Sequence, residues 1–267
     1  MLKRLVVAMI FPLAMASNAF ADAGPAGPEL GLTKIAGGEV ILTRDEAEAM
    51  STDAFMDTHL DIKYLLIGRD RLLRGDYAGA LYALDRSGSH GDKLAQAMLA
   101  EMHWEGQGTK VDRVRAYALA DVASERLNDP FLVGIRERYW TALTDAERAQ
   151  VPAIAKEVLD RYGEENTNRR VAQHWRNSRD MARPVGAGRF LGFIELENYT
   201  DGTVSEVRGE AFFAEKFWNL ERYQEFKDKF VANASRYGTV KVRMGGLEQS
   251  SRVQADGNAE VGNRNDN

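Results

Sequence analysis

Cysteine is absent from the 267 residues, which removes disulfides, thiolate nucleophiles and the lipid-accepting cysteine of a lipoprotein export signal. The fold must be held by core packing alone. Histidine is scarce: no two of His59, His90, His103 and His174 stand at the spacing that shares a helix face, so no metal cluster is expected. There is no Gly-x-Ser-x-Gly elbow. Gly106-Gln107-Gly108 lacks the third glycine and the Lys-Ser/Thr pair of a phosphate loop. Basic residues number 35 against 40 acidic ones, a net charge of −5. Nucleic-acid binding rests on clustered Lys and Arg, so that balance argues against it.

Long apolar runs are also missing. Leu5 to Ala16, with Pro12 inside it, spans about 12 residues, short of the roughly 20 that a membrane helix needs. Lys3 and Arg4 precede this run and Ala19-Phe20-Ala21, a small-x-small cleavage signal, follows it. That order predicts a secretory signal peptide over residues 1–21 rather than a membrane anchor, cut after Ala21. The mature chain is then exported, periplasmic or secreted, without a membrane span. Its net charge becomes about −7, because Lys3 and Arg4 leave with the signal.

Helical periodicity is abundant by contrast. Between Ala95 and Asp129, Met98, Leu99 and Met102 fall on one helical face, and Val114, Tyr117, Ala120 and Ala123 fall on another. Gly106 and Gly108 end the first helix, and Asp112 is placed to cap the second. The pair reads as a helical hairpin in which the small Ala116 lets the helices approach closely.

Leu99-Ala100, His103, Gly106-Gln107-Gly108, Val111-Asp112, Ala116-Tyr117 and Ala123 resemble, in their order, the Sel-one-like repeat, a longer-looped relative of the tetratricopeptide repeat. Ala100 stands where that family usually has glycine and His103 where it usually has tyrosine. A lone repeat cannot bury its apolar face, so neighbours are expected. Upstream, Tyr64, Ile67, Gly68, Gly75, Ala80, Leu84 and Ser87 have tetratricopeptide spacing, with Arg71 in an aromatic's place. Asp76 and Ala80 precede Asp112 and Ala116 by 36 residues. Downstream, Asp129-Pro130 opens a helix through Leu132, Ile135, Tyr139, Trp140 and Leu143. Thr144 and Glu147 form a capping box for a helix bearing Val151, Ile154, Ala155, Val158, Leu159 and Tyr162, which Gly163 stops. Three stacked hairpins are thus predicted over residues 55–163.

Residues 22–54 read as an extended lead-in with a short helix. Asp22 to Gly38 is rich in Gly and Pro, Val40 to Leu42 suits a strand, and Thr43 with Glu46 caps a helix from Arg44 to about Met50. Residues 164–250 read as a small α+β module that caps the last repeat. Arg169, Arg170, Arg176, Arg179, Arg183 and Arg189 make either a basic stripe or a solvated helix face. Phe190 to Asn198 and Thr203 to Arg208 flank Asp201-Gly202 as a β-hairpin, in which Glu195 and Glu197 lie on one solvated side. Phe213, Phe217, Leu220, Tyr223, Phe226 and Phe230 step by three or four residues as a core stripe or a partner groove, with Asn219 breaking it and Gly238 ending it. Thr239 to Met244 alternates as a strand. Residues 251–267 read as a disordered tail.

The fold class predicted is therefore mainly α, a short right-handed solenoid followed by the α+β module. No catalytic residue, cofactor or metal ligand emerges, and the chain reads as a non-enzymatic scaffold or adaptor of the cell envelope that binds a protein or peptide. The first helices of stacked hairpins would line a concave face, which makes Gln96 and Trp104 the candidate contacts; the alternative for Trp104 is packing against the next hairpin. Some secreted proteins with such repeats have been assigned penicillin binding, so the resemblance also implies an envelope enzyme or binder acting on cell-wall material or β-lactams. Those relatives pair cysteines in each repeat, which this chain lacks. A third reading gives the C-terminal module a small ligand and makes the repeats a handle.

Overall fold

A computed structural model describes residues 7–10, 42–182, 192–237, 239–244 and 247–250. The lead-in at 22–38, the strand expected at 40–42 apart from Leu42, Arg183, Arg189, Gly238 and the tail beyond Ser250 lie outside the described residues. The chain forms two compact units, one of Gly27–Val231 and one of Met1–Ala26 with Ala232–Asn267. In the latter, β1 (Val7–Ile10) pairs antiparallel with β4 (Thr239–Met244), which pairs antiparallel with β5 (Leu247–Ser250). Among the described residues no helix is long and apolar enough to cross a membrane.

The larger unit begins with α1 (Arg44–Met50), whose Thr43–Glu46 capping box forms, and α2 (Asp53–Thr58), capped by Thr52. Two closed hairpins follow. In the first, α3 (Leu60–Leu73) lies against α4 (Tyr77–Gly88). The helices come so close at Gly68 that a β-carbon there would stand 2.7 Å from the Leu84 side chain. Gly75 makes the turn at φ +77 and Asp76 accepts from the Gly79 amide to start α4. In the second, α5 (Lys93–Glu105) lies against α6 (Arg113–Ala123), with Gly106 left-handed at its end and Asp112 accepting from the Arg115 amide. Leu99, Ala100, Ala116 and Ala123 are buried in this hairpin.

The third pair departs from expectation. Helices α7 (Pro130–Ala142) and α9 (Val151–Tyr162) each pack on α6 more extensively than on one another. The capping box of Thr144 and Glu147 heads only the four-residue α8 (Asp145–Arg148). Proline has no N–H and fits only a first turn, so Pro152 sets a new helix start at Val151.

After Gly163 the chain re-enters a helix at once, α10 (Glu164–Ala182), with Thr167, Val171, Trp175 and Ser178 buried along one face. Strands β2 (Phe193–Asn198) and β3 (Thr203–Arg208) form the hairpin with Asn198 opposite Thr203 and Gly202 at φ +72. Glu195 and Glu197 are exposed on it. The stripe that follows is broken more often than expected, into α11 (Gly209–Phe212), α12 (Glu215–Trp218) and α13 (Leu220–Tyr237), with Asn219 extended before α13. Phe217, Tyr223 and Phe226 are buried, so this stripe is core.

That core faces the beginning of the repeats, while α10 of the same segment packs on α9 at their end. Phe55 stacks on His59 at 3.9 Å, and the rings of Trp175, Phe217, Trp218 and Tyr223 surround the imidazole. The Trp175 indole donates to the Thr58 carbonyl at 2.9 Å. The β-hairpin is tied to α2 through Thr200 on Asp53 and the Tyr199 hydroxyl on Asp57. The physical reason is supply of apolar surface: the short α1 and α2 cannot cover themselves, and the aromatic stripe of the C-terminal segment covers them.

Candidate functional site

The helix expected to present contacts is enclosed. Lys93 to Ala97, Leu99, Ala100 and Met102 of α5 are all buried. Gln96 is fully buried, and its amide donates to the carbonyls of Gly88 and Tyr162, both at 3.0 Å. It is a fastener between α4 and the end of α9, which corrects its placement as a partner contact. Lys93 is equally closed in: its ammonium donates to the Val122 carbonyl at 2.9 Å and pairs with Glu164 at 3.1 Å. Burial pushes the Lys93 amine below its ordinary value, against the opposing pull of Glu164.

Trp104 is half-buried and stacks on Tyr139 of α7, rings parallel to within 2° and centroids 4.1 Å apart. The Arg113 guanidinium lies 5.3 Å over the Trp104 ring and that of Arg138 lies 5.1 Å over Tyr139. Rings so close leave no room for a guanidinium between them, so the cations flank the pair from outside. The Tyr139 hydroxyl donates to Glu101, and burial followed by the charge of Glu101 holds its proton well above the usual range. Trp104 thus has the packing role, joining the second hairpin to α7. Tyr117 is half-exposed with its ring 5.0 Å from Trp140.

A cleft of about 510 Å³ opens at the tip of the second hairpin, lined by residues 109–115 of the turn and first turn of α6, with His103, Glu147 and Gln150. The close-packed turn builds it. Gly108, at φ +70, sits where a β-carbon would approach the Tyr77 carbonyl oxygen to 2.6 Å, locking the second tip onto the first. Burial, then the charge of Arg115, lowers the His103 imidazole below its ordinary value, and its Nδ1 is buried without a partner. The acids of the cleft are engaged. Asp112 accepts from the Arg115 amide, Arg115 forks onto Glu157 at 3.1 Å, and Glu147 accepts from the backbone and hydroxyl of Thr144 at 2.8 Å. On this lining Val111 is 57% exposed, and Tyr77, which meets the turn at Gly108, is 40% exposed.

A buried polar core was not visible in the sequence reading. Asp61 accepts from the Tyr223 hydroxyl and from Lys227 at 2.6 Å, all three being buried. His59 Nε2 donates to the Phe217 carbonyl at 2.8 Å, and burial holds the imidazole below its ordinary value. Arg126 bridges Asp228 of α13 and Glu164 of α10. The available signal was Lys227, a cation adjacent to Phe226 and one turn after Tyr223 in the aromatic stripe. Arg170 of the arginine series donates to the carbonyls of Ser89 and Arg161 at the ends of α4 and α9, so this residue closes helix ends. Among the described residues no group of His, Asp and Glu is arranged to hold a metal.

The chain is thus a stack of α-helical hairpins closed by an aromatic α+β segment. It is similar to the crystal structure of a protective antigen present in uropathogenic Escherichia coli strains and displaying an SLR (Sel-one-like repeat) fold. The identity is 22% and the TM-score 0.37, over 48% of this chain and 26% of that one. No protein-family model matches the chain, and no curated protein sequence does.

Proposed function

We propose that this protein is an exported scaffold or adaptor of the cell envelope whose hairpin tips hold a protein or peptide partner. The observation that carries the reading is the exposure of Val111 on the lining of the cleft, with the exposed Tyr77 next to the same turn at Gly108, while α5 behind them is closed. Neighbouring apolar side chains left in water at the rim of a concave surface favour association. The binding surface therefore lies on the turns of the hairpins and not on a concave face of α5. Export rests on Lys3, Arg4, the apolar run and Ala19-Phe20-Ala21.

The test is a photo-crosslinking residue placed at Val111 in cells that express the full chain, with a second at the exposed Glu195 as control. A discrete adduct from Val111 alone, identified by mass spectrometry as one envelope protein, is expected. Equal labelling from both positions would remove the tip as the site. Turnover of a cell-wall or β-lactam substrate by the purified protein would replace the scaffold reading with an enzyme.

A further inference from the structure

The acids of the cleft at the second tip are hydrogen-bonded, and Glu147 also feels the charge of Arg113. Asp112, Glu147 and Glu157 are each held by backbone, hydroxyl or guanidinium donors, and Arg115 is spent between Asp112 and Glu157. Lys110 and Arg113 are exposed on its lining and make no ion pair among the described residues. Arg113 is also positioned in advance, because its guanidinium lies over Trp104, itself fixed on Tyr139. A side chain already held in place loses less freedom when it binds. Val111, standing between these two cations in sequence, adds an apolar contact at the same rim.

We infer that the cleft recognises an acidic, partly apolar linear segment of a partner protein, with carboxylates on Lys110 and Arg113 and an apolar side chain against Val111. This rests on the scaffold reading and names the chemistry of the partner. Charge favours an acidic occupant: Lys110, Arg113 and Arg115 outnumber Asp112 and Glu147 on the lining, and neither Lys110 nor Arg113 has a carboxylate within ion-pair distance among the described residues. Arg113, with its planar fork, suits a bidentate carboxylate, and Lys110 supplies a mobile point charge.

The experiment uses the full chain and a fluorescently labelled peptide of glutamate, leucine and glycine, with a counterpart carrying lysine for glutamate. Anisotropy is expected to show saturable binding of the glutamate peptide only, weakened about tenfold by moderate salt. Lys110→Glu/Arg113→Glu should lose binding by tenfold or more while its melting stays that of the wild type. Val111→Asp, which leaves both cations in place, should weaken the same peptide several-fold. Binding of the lysine peptide as tightly, or unchanged binding by the double variant, overturns the inference. So does tighter binding of a single-stranded oligonucleotide, or a double variant whose only change is self-association in sedimentation. An adduct at Val111 that persists undiminished in the double variant keeps the scaffold and rejects the acidic partner.

Discussion

The Tyr223 hydroxyl lies 2.9 and 2.8 Å from the two carboxylate oxygens of Asp61, joining α13 to the first hairpin across 162 positions of sequence. Lys227, one turn further along α13, completes the site at 2.6 Å. Replacing Lys227 with Met leaves Asp61 charged, buried and short of its counterion. The expected loss is on the order of 3–5 kcal/mol in urea unfolding. Adding Asp61→Asn should return part of it, and a double-mutant cycle with no recovery would show that the two residues do not act as a pair.

The same region sets an acid dependence. Burial raises the Asp61 carboxyl, and the charge and hydrogen bond of Lys227, with the Tyr223 hydroxyl, outweigh it and hold it below the ordinary 3.8. A carboxyl held low in the folded state adds stability that is present above the unfolded value and lost as pH falls through the folded one. Asp92 behaves oppositely: burial dominates and raises it. Its contribution is full below the unfolded value and fades as pH rises through the folded one. Asp61→Asn should therefore flatten the acid limb below about pH 4. Asp92→Asn, which keeps an acceptor for the Ala95 amide, should leave neutral stability equal or higher. Urea midpoints from acid to neutral pH check both.

Ala116 is fully buried on α6, which packs on α5, α9 and α7. Ala116→Leu favours the helix intrinsically and overfills the interface, so thermal stability should fall by about 1–3 kcal/mol. An unchanged melting midpoint would place Ala116 outside the contact.

Gly75 and Gly108 share a positive φ and differ in surroundings. Gly75→Ala meets nothing within 4 Å and should cost about 1 kcal/mol of backbone strain. Gly108→Ala adds a clash with the Tyr77 backbone and should cost clearly more. Equal losses in parallel melts would mean that the tips do not touch.

Trp104→Ala removes the ring that rests on Tyr139 and should lower stability by about 2–3 kcal/mol. Loss of partner capture with full thermal stability would instead make Trp104 a contact.

N-terminal sequencing of the exported protein should begin at Asp22. An intact Met1 in a soluble envelope fraction would mean that β1 stays with the chain and that residues 1–21 are not a cleaved signal.

The local grammar of the repeats was readable because it is local. Asp76 and Asp112 accept from the amides three residues ahead of themselves to start their helices, and Gly75 and Gly106 turn the chain where a β-carbon would strain it. Asn219 interrupts its stripe, and Gly202 turns the β-hairpin. These effects act within about four positions, and their pattern is the sequence itself. Pro152 is as local, and its missing N–H separates α9 from α8.

Caps and turn glycines written in the sequence set the starts of α1, α4, α5 and α6 and the turns of the first two hairpins, and its periodicity set which helical faces are apolar. Tertiary structure alone decided which polar side chains are hidden. Gln96 meets Tyr162 across 66 positions and Asp61 meets Lys227 across 166. A polar residue on a helix looks the same to periodicity whether water or a distant carbonyl satisfies it. Only the folded chain brings those distant groups within bonding distance, and their arrival closed α5.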